Sequence, residues 1–452
     1  MADIVILGAG LTGLSAAYHL ERQGFYDYKL FEKDATVGGL CRSVQQDGFT
    51  FDYTGHLLHI NDPYFKSFIE TITGGIDQFN TIHRRSFIYS HETYTHYPYQ
   101  INLHGLPPEV IAECIEGFVA RKKSSAQHPT FYQWVLTNFG AGFGRHFFFP
   151  YQEKIFAYDV KKLSASWTGR FVPQTSLREM ISGALQPKLD TAVGYNAQFF
   201  YPKSGGIEYW IKKLHQQLQL PVQTNYTVTK INTLRKIVYF SNGHEEPYNQ
   251  LITTMPLDFL LAHLEEKSHT SLFKASEQLR CNSVINFNWG VNRPDLSEKH
   301  WIYFPETQYP FYRLGFPHNF ASSMAPAGCS SLYGEFSHIK QPAETVQQTL
   351  ATARAATQKL FGLADHEIMT EKIITIPHAY VIYDRWRDAN INKIHAQLAD
   401  YAIYSVGRYG AWKYASMQEG VLDGKDIAEK LLANQITAQQ PPSLQTPKGP
   451  SL

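Results

Sequence analysis

Residues 2–20 read ADIVILGAGLTGLSAAYHL and residues 31–43 read FEKDATVGGLCRS, and these two stretches decide the fold. The apolar run Ile4, Val5, Ile6, Leu7 predicts a buried strand that ends in Gly8, Gly10 and Gly13. Behind the glycines the apolar residues fall at helical spacing, and a second short strand closes on Glu32. This is the pattern of a dinucleotide-binding βαβ unit. The glycines let the backbone turn sharply and approach a pyrophosphate, whose charge is favoured at a helix N-terminus by free N–H groups and the helix dipole. Glu32 is placed to accept hydrogen bonds from a ribose.

A second glycine cluster, Val37-Gly38-Gly39-Leu40 with Arg42-Ser43 after it, narrows the cofactor. It resembles the extension found in the FAD-binding superfamily of amine oxidases, protoporphyrinogen oxidases and UDP-galactopyranose mutases. That resemblance points to FAD rather than NAD, with Gly39 and Arg42 added to Gly8, Gly10, Gly13 and Glu32 as cofactor-binding residues. Residues 407–420, GRYGAWKYASMQEG, hold no cysteine that could tether the flavin, so the expectation is non-covalent FAD.

Composition sets outer bounds. At 452 residues the chain exceeds what one hydrophobic core usually serves, which makes two domains the default expectation. A net charge of +1 offers no broad field for nucleic acid or an anionic membrane, so any anionic ligand must be held by a few placed residues. The four cysteines lie far apart without a CxxC pair, which predicts buried thiols and no metal site. The apolar N-terminus lacks a basic flank and carries Asp3, unlike a signal peptide, and no stretch reaches the roughly 20 apolar residues of a membrane span. A cytoplasmic protein without nucleic-acid or membrane partners is expected; an oligomer remains open.

Past the cofactor unit, residues 48–60 (GFTFDYTGHLLHI) predict a strand that turns at Gly55 into His56. From Leu106 to about Phe156 the pattern becomes helical, with proline and glycine/serine breaks, and predicts a helical insertion. Residues 206–256 alternate helix and β-branched strands and return to the cofactor domain, with Val228 on the adenine side. Between about 260 and 395, alternating runs such as VINFNWGV, WIYFPE and SLYGEF predict a sheet lining a cleft. The last excursion is a strand, a glycine-rich turn and a helix whose N-terminus, at Met417, faces the flavin's ring end.

The expected fold is therefore α/β: a discontinuous Rossmann-like FAD domain (1–85, 195–260 and 396–435) and a substrate domain (86–194 and 261–395). The substrate domain combines the helical insertion with a mostly antiparallel sheet. Residues 436–452, polar and proline-rich, are expected to be a disordered tail.

Four further stretches resemble UDP-galactopyranose mutase, particularly its longer eukaryote-type branch, in order and separation from Tyr97 to Tyr414. YPYQIN is similar to the segment whose tyrosine and glutamine contact the nucleotide, which implies Tyr97 and Gln100. HWIYFPETQYPFYR matches a strand pair supplying an aromatic, a tyrosine and a phosphate-binding arginine, here Trp301, Tyr303 and Arg313. IPHAY places Tyr380 at a diphosphate-binding tyrosine; GRYGAWKY places Arg408 near the flavin and Tyr414 near the diphosphate. The resemblance also implies that His56 lies beside the flavin and tunes its reduced ring.

The chain departs from the family in three places. Gln152 and Phe156 stand where the family has Asn and Trp. The arginine of a mobile loop is displaced by one to Arg170, with Phe171 in its place. Phe320 replaces a tyrosine. The resemblance implies that these changes cluster where sugar and diphosphate bind, which leaves the sugar and the base open.

The resemblance implies pyranose–furanose interconversion of a nucleotide sugar (UDP-galactopyranose/UDP-galactofuranose or a close analogue), with N5 of reduced FAD as nucleophile, NAD(P)H as a candidate reductant, and Arg313 and Arg170 holding the leaving diphosphate. A rival reading is an FAD-dependent amine oxidase or desaturase, which expects a mostly apolar tunnel. A third is a flavin-binding protein without catalysis.

Overall fold

The computed structural model describes residues 2–122, 127–187, 197–265 and 270–439. Its first sheet has seven strands. Six run in the order Val228–Asn232, Ile237–Phe240, Glu245–Thr253, Ala2–Leu7, Tyr28–Phe31, Val222–Gln223, and Ile403–Ser405 pairs onto Glu245–Thr253. Ala2–Leu7 sits centrally and runs parallel to both neighbours. Alternation along this strand explains its position: Ile4 and Ile6 enter one core with Leu14 and Leu20, while Val5 and Leu7 enter another with Leu251, Leu260 and Ile403. Covered on both faces, the strand has to be apolar at every step.

Helix Leu11–Arg22 follows directly and is packed by Met417–Gln439, so the two ends of the chain meet behind the glycine turn. Helix Arg385–Asp400 also covers this sheet through Ile391, Ile394 and Leu398.

The second sheet has the order Ile368–Ile376, Ser283–Val291, Ser330–His338, Arg313–Gly315, Trp301–Tyr303, Ser86–Ser90, Thr93–His96. All its pairs are antiparallel except Trp301–Tyr303 with Ser86–Ser90. Helix Ala343–Phe361 covers its outer face through Ala353. The helical segment, Pro108–Val119, Phe131–Asn138 and Phe149–Phe156, packs around Phe131, Phe139, Phe143 and Phe148. A wide π-helical turn, Gly144–Phe148, precedes the last of these helices, and its Phe147 and Phe148 reach the cavity described below.

Three of the boundaries expected from sequence fall within helices. Those at 260/261 and 395/396 fall inside the helices Leu257–Ala262 and Arg385–Asp400. The last helix runs to Gln439, into the expected tail, and residues 440–452 lie outside those described. The boundary at 194/195 also lies outside the described residues.

Candidate functional site

Between the two sheets runs one long cavity of about 1140 Å³, from Glu32 and Val228 at one end to Tyr97 and Gln152 at the other. A single small-molecule site occupies roughly 300–1,000 Å³, so the space suits a cofactor and a substrate end to end.

The cofactor end is built on the glycine turn. Gly8 has φ +97°, a conformation open to glycine, and Gly13 lies under it so tightly that a Cβ there would fall 1.9 Å from the Gly8 carbonyl oxygen. Gly8 and Gly10 line the cavity, whereas Gly13 acts from beneath. The second glycine cluster abuts the first through a bridge between Gly10 and Gly38. The buried Glu32 carboxylate accepts from the Ala9 N–H at 2.8 Å and the Asp34 N–H at 3.0 Å, which fixes it at the cavity wall. Arg42 donates to the Gly39 carbonyl at 2.7 Å and pairs with Asp34 at 3.2 Å. Val228, with Phe31 and Tyr226, walls the far end.

Toward the middle, Gly39, Met417 and Arg408 line the cavity. Arg408 is held by the Ala415 and Ala379 carbonyls and lies 4.7 Å over the Tyr414 ring. His56 is adjacent; its buried Nδ1 has no partner of good hydrogen-bond geometry among the described residues, with the Tyr53 and Thr54 backbone nearby. Burial, followed by the nearby charges of Arg408 and Arg313, pushes the His56 pKa down to about 4, so it is neutral at physiological pH. The glycine cradle, the anchored Glu32 and the buried imidazole of His56 fit an FAD, which Gly8, Gly10, Glu32, Val228, Arg408 and His56 would hold.

The substrate end draws on both parts of the second domain. Cross-strand register places Tyr303 opposite Arg313, so both face the cavity. Tyr97 packs 5.4 Å from Tyr303 and under Arg84. Trp301 is buried against Phe199 and lines the cavity beside Tyr303. Gln152 is buried with its Oε1 unpartnered among the described residues, and Phe156 stands edge-on to Tyr380 at 5.9 Å. Tyr380 and Tyr414 lie parallel, 6.4 Å apart, against Arg408.

The fold adds contacts that the sequence does not show. Arg313 is not a free cation: Nε and Nη2 both grip the fully buried Glu335 at 2.8–3.1 Å, leaving Nη1 for a ligand. Gln100 donates its amide to the Pro173 carbonyl at 2.6 Å, which ties the Tyr97 turn to the segment after Phe171. Phe320 is a core residue packed on Phe199 and Tyr201, away from the cavity wall, so that departure does not touch the ligand space. Arg170 has its backbone in the short turn Gly169–Phe171, while its side chain lies outside those described; Phe171 packs edge-on to Tyr414 at 4.7 Å.

Residues absent from the sequence-based site are Glu335, Tyr151 and Arg84, the last two on the cavity wall. Glu335 had a signal: in SLYGEF it shares a strand face with Tyr333, opposite Arg313. Among the described residues there is no cluster suited to a metal ion, and no helix is long and apolar enough to cross a membrane.

The fold and the cavity define a flavin-dependent enzyme built on a dinucleotide-binding domain. Residues 11–432 match the family of flavin-containing amine oxidoreductases, and the chain belongs to that family. It is similar to a crystal structure of reduced UDP-galactopyranose mutase, with a TM-score of 0.88 and 27% identity, covering 96% of this chain and 94% of that one. A putative protoporphyrinogen oxidase from Exiguobacterium sp. 255-15 superposes with a TM-score of 0.74 at 18% identity, covering 96% and 99%. A 4,4'-diapophytoene desaturase of Staphylococcus aureus is 41% identical over 61 residues, 14% of this chain and only 12% of the desaturase's length.

Proposed function

We propose that this flavoenzyme is a nucleotide-sugar mutase that interconverts pyranose and furanose forms, with UDP-galactopyranose or a close analogue as substrate. The observation that carries this reading is the substrate end of the cavity. Tyrosines (Tyr97, Tyr303, Tyr380, Tyr414) and the guanidinium of Arg313 wall it, a donor-rich surface suited to a diphosphate and unlike the apolar tunnel an oxidase or desaturase of hydrophobic substrates needs. Likeness to the mutase structure over nearly the whole chain supports it.

Bound FAD in its reduced state would supply the nucleophilic nitrogen, N5, at the sugar's anomeric carbon. The chain's own residues do the rest. Arg313 Nη1 and the Tyr380 and Tyr414 hydroxyls bind the diphosphate and stabilise the charge that develops as it leaves. Glu335 holds the Arg313 guanidinium in one orientation. Gln152 Oε1, buried and unpartnered, accepts from a sugar hydroxyl. Neutral His56 flanks the ring system without adding a proton that would quench a nucleophile. Together these contacts align the anomeric carbon with the flavin, the dominant gain in such a displacement.

The family match and the protoporphyrinogen oxidase likeness favour a second reading, oxidation of a substrate by oxidised flavin. One experiment separates them. Holoprotein reduced anaerobically with dithionite or NAD(P)H is incubated with a panel of nucleotide hexopyranoses and the products are resolved by chromatography. A furanose product formed only by reduced enzyme is expected. Bleaching of the oxidised flavin by amines or porphyrinogens under argon, with nucleotide sugars inert, would overturn the mutase reading.

A further inference from the structure

Polar side chains occupy the middle of the second sheet, where valines would pack without desolvation cost. Register puts Asn286 opposite Glu335, Glu335 opposite Arg313, and Arg313 opposite Tyr303, a row of four residues on one face across four strands. Asn288, two residues along and so on the same face, donates to Asn286 Oδ1 at 2.7 Å. Asn286, Asn288 and Glu335 are all at most 2% exposed.

This row reaches the turn that carries His56. Asn286 Oδ1 accepts from the Thr54 N–H and Glu335 Oε1 from the Gly55 N–H, each at 3.4 Å. Tyr333, next along the strand face from Glu335, sets its hydroxyl against Gly55, where a Cβ would approach it to 2.3 Å. The same Glu335 oxygens hold Arg313. One carboxylate thus touches both the anion-facing arginine and the backbone beside the cofactor space.

We infer that Glu335 is a positioning residue that couples anion binding at Arg313 to the surroundings of the flavin through the Thr54–His56 turn, with Asn286 as the second tether of that turn. The inference rests on the mutase reading, in which Arg313 meets a diphosphate. An anion at Arg313 Nη1 shares the charge of the guanidinium whose Nε and Nη2 Glu335 holds, and so draws on the same bonds. As those bonds weaken, the carboxylate's charge falls more fully on the Gly55 N–H, and the turn and the ring beside it respond.

The test is anaerobic titration of the FAD-loaded full chain with inorganic pyrophosphate and with UDP, read by flavin absorbance and by the midpoint potential. Wild type is expected to show a saturable difference spectrum with each. Glu335→Gln, which keeps the shape and removes the competing charge, is expected to bind pyrophosphate at least fivefold more tightly while losing more than half of the difference spectrum. Asn286→Ala should leave pyrophosphate affinity within twofold yet change the ratio of oxidised to reduced FAD affinity about tenfold, a shift of about 30 mV for a two-electron couple. This second variant decides the matter if Glu335→Gln does not load FAD. A full difference spectrum in Glu335→Gln, or an unshifted potential in Asn286→Ala, overturns the coupling alone. Wild type that holds FAD but binds neither anion overturns the mutase reading and the coupling together.

Discussion

Replacing Arg313 by Met tests the central ion pair of the site. Glu335 has no exposed surface and Arg313 is its only charged partner among the described residues, at 2.8 Å, with 17% of the arginine side chain exposed. Removing one member of a buried pair leaves an uncompensated charge and costs about 3 to 5 kcal/mol. Arg313→Met should therefore lower holoprotein stability by that amount in urea unfolding followed by tryptophan fluorescence at neutral pH. Adding Glu335→Gln removes the orphaned charge, and the double variant should recover at least about 1.5 kcal/mol, within the range of coupling energies for contacting groups. Activity should not recover with it. If Arg313 Nη1 holds the diphosphate, kcat/KM with a nucleotide sugar stays at least about 30-fold down in the double variant, because a desolvated charged contact to the leaving group is still missing. A single variant within about 1 kcal/mol of wild type, or a double variant as unstable as the two singles combined, would refute the reasoning.

Other expectations follow from contacts at single residues. Gly13→Ala drives a Cβ into the Gly8 carbonyl and should yield protein without FAD, checked by the flavin-to-protein absorbance ratio. Burial pushes His56 and His59 down to about 4 and His300 to about 3, so around pH 5 the unfolded chain binds more protons at all three. Asp52, raised by burial to about 6, opposes them with one proton; His19, His96, His215, His318, His338 and His395 are also lowered by burial, so the histidines outweigh it and stability should fall as pH drops through 5. A flat denaturation profile between pH 6.5 and 4 would contradict this. Lys154 donates to the Phe304 and Glu306 carbonyls in a buried site that pushes it down to about 7. The unfolded chain holds that proton up to its ordinary pKa, so this residue makes stability rise from pH 7 upward, and Lys154→Met should flatten the rise in pH-dependent melting. Arg170→Ala should lower kcat/KM of the reduced enzyme well beyond threefold if the arginine meets the diphosphate on loop closure; a smaller loss, under roughly 0.7 kcal/mol, removes it from the site.

The cofactor half was legible because its determinants are local. A strand, a turn and a helix adjacent in sequence must fold back on themselves; Gly8 and Gly13 answer to backbone geometry, through a positive φ and a close approach to the Gly8 carbonyl, and Glu32 follows at the end of the second strand, where the Ala9 and Asp34 N–H groups fix it. The α/β class, with one sheet parallel at its centre and a second, mostly antiparallel one, followed from the same periodicities. The helices Ala343–Phe361 and Arg385–Asp400 were passed over in a region dominated by strand patterns, since their apolar stripes are thin: Ala353 and Thr357 are the fully covered positions of the first.

At the substrate end the sequence specified residue types and the tertiary structure decided what they do. Arg313 in FYRLGF is expected to bind phosphate; only pairing with a strand more than 15 residues later sets Glu335 across from it and commits two of its three nitrogens. Gln100 reads as a ligand contact; the fold puts it on the cavity wall and also commits its amide to the Pro173 carbonyl. Phe320 reads as a lost site tyrosine, yet it lies in the core under Phe199. The physical reason is common to all three. Local backbone preferences extend over a few residues, whereas the charge, hydrogen bonds and burial of a side chain are fixed by whichever distant strand or loop packs against it, and those partners exist only once the sheets have assembled.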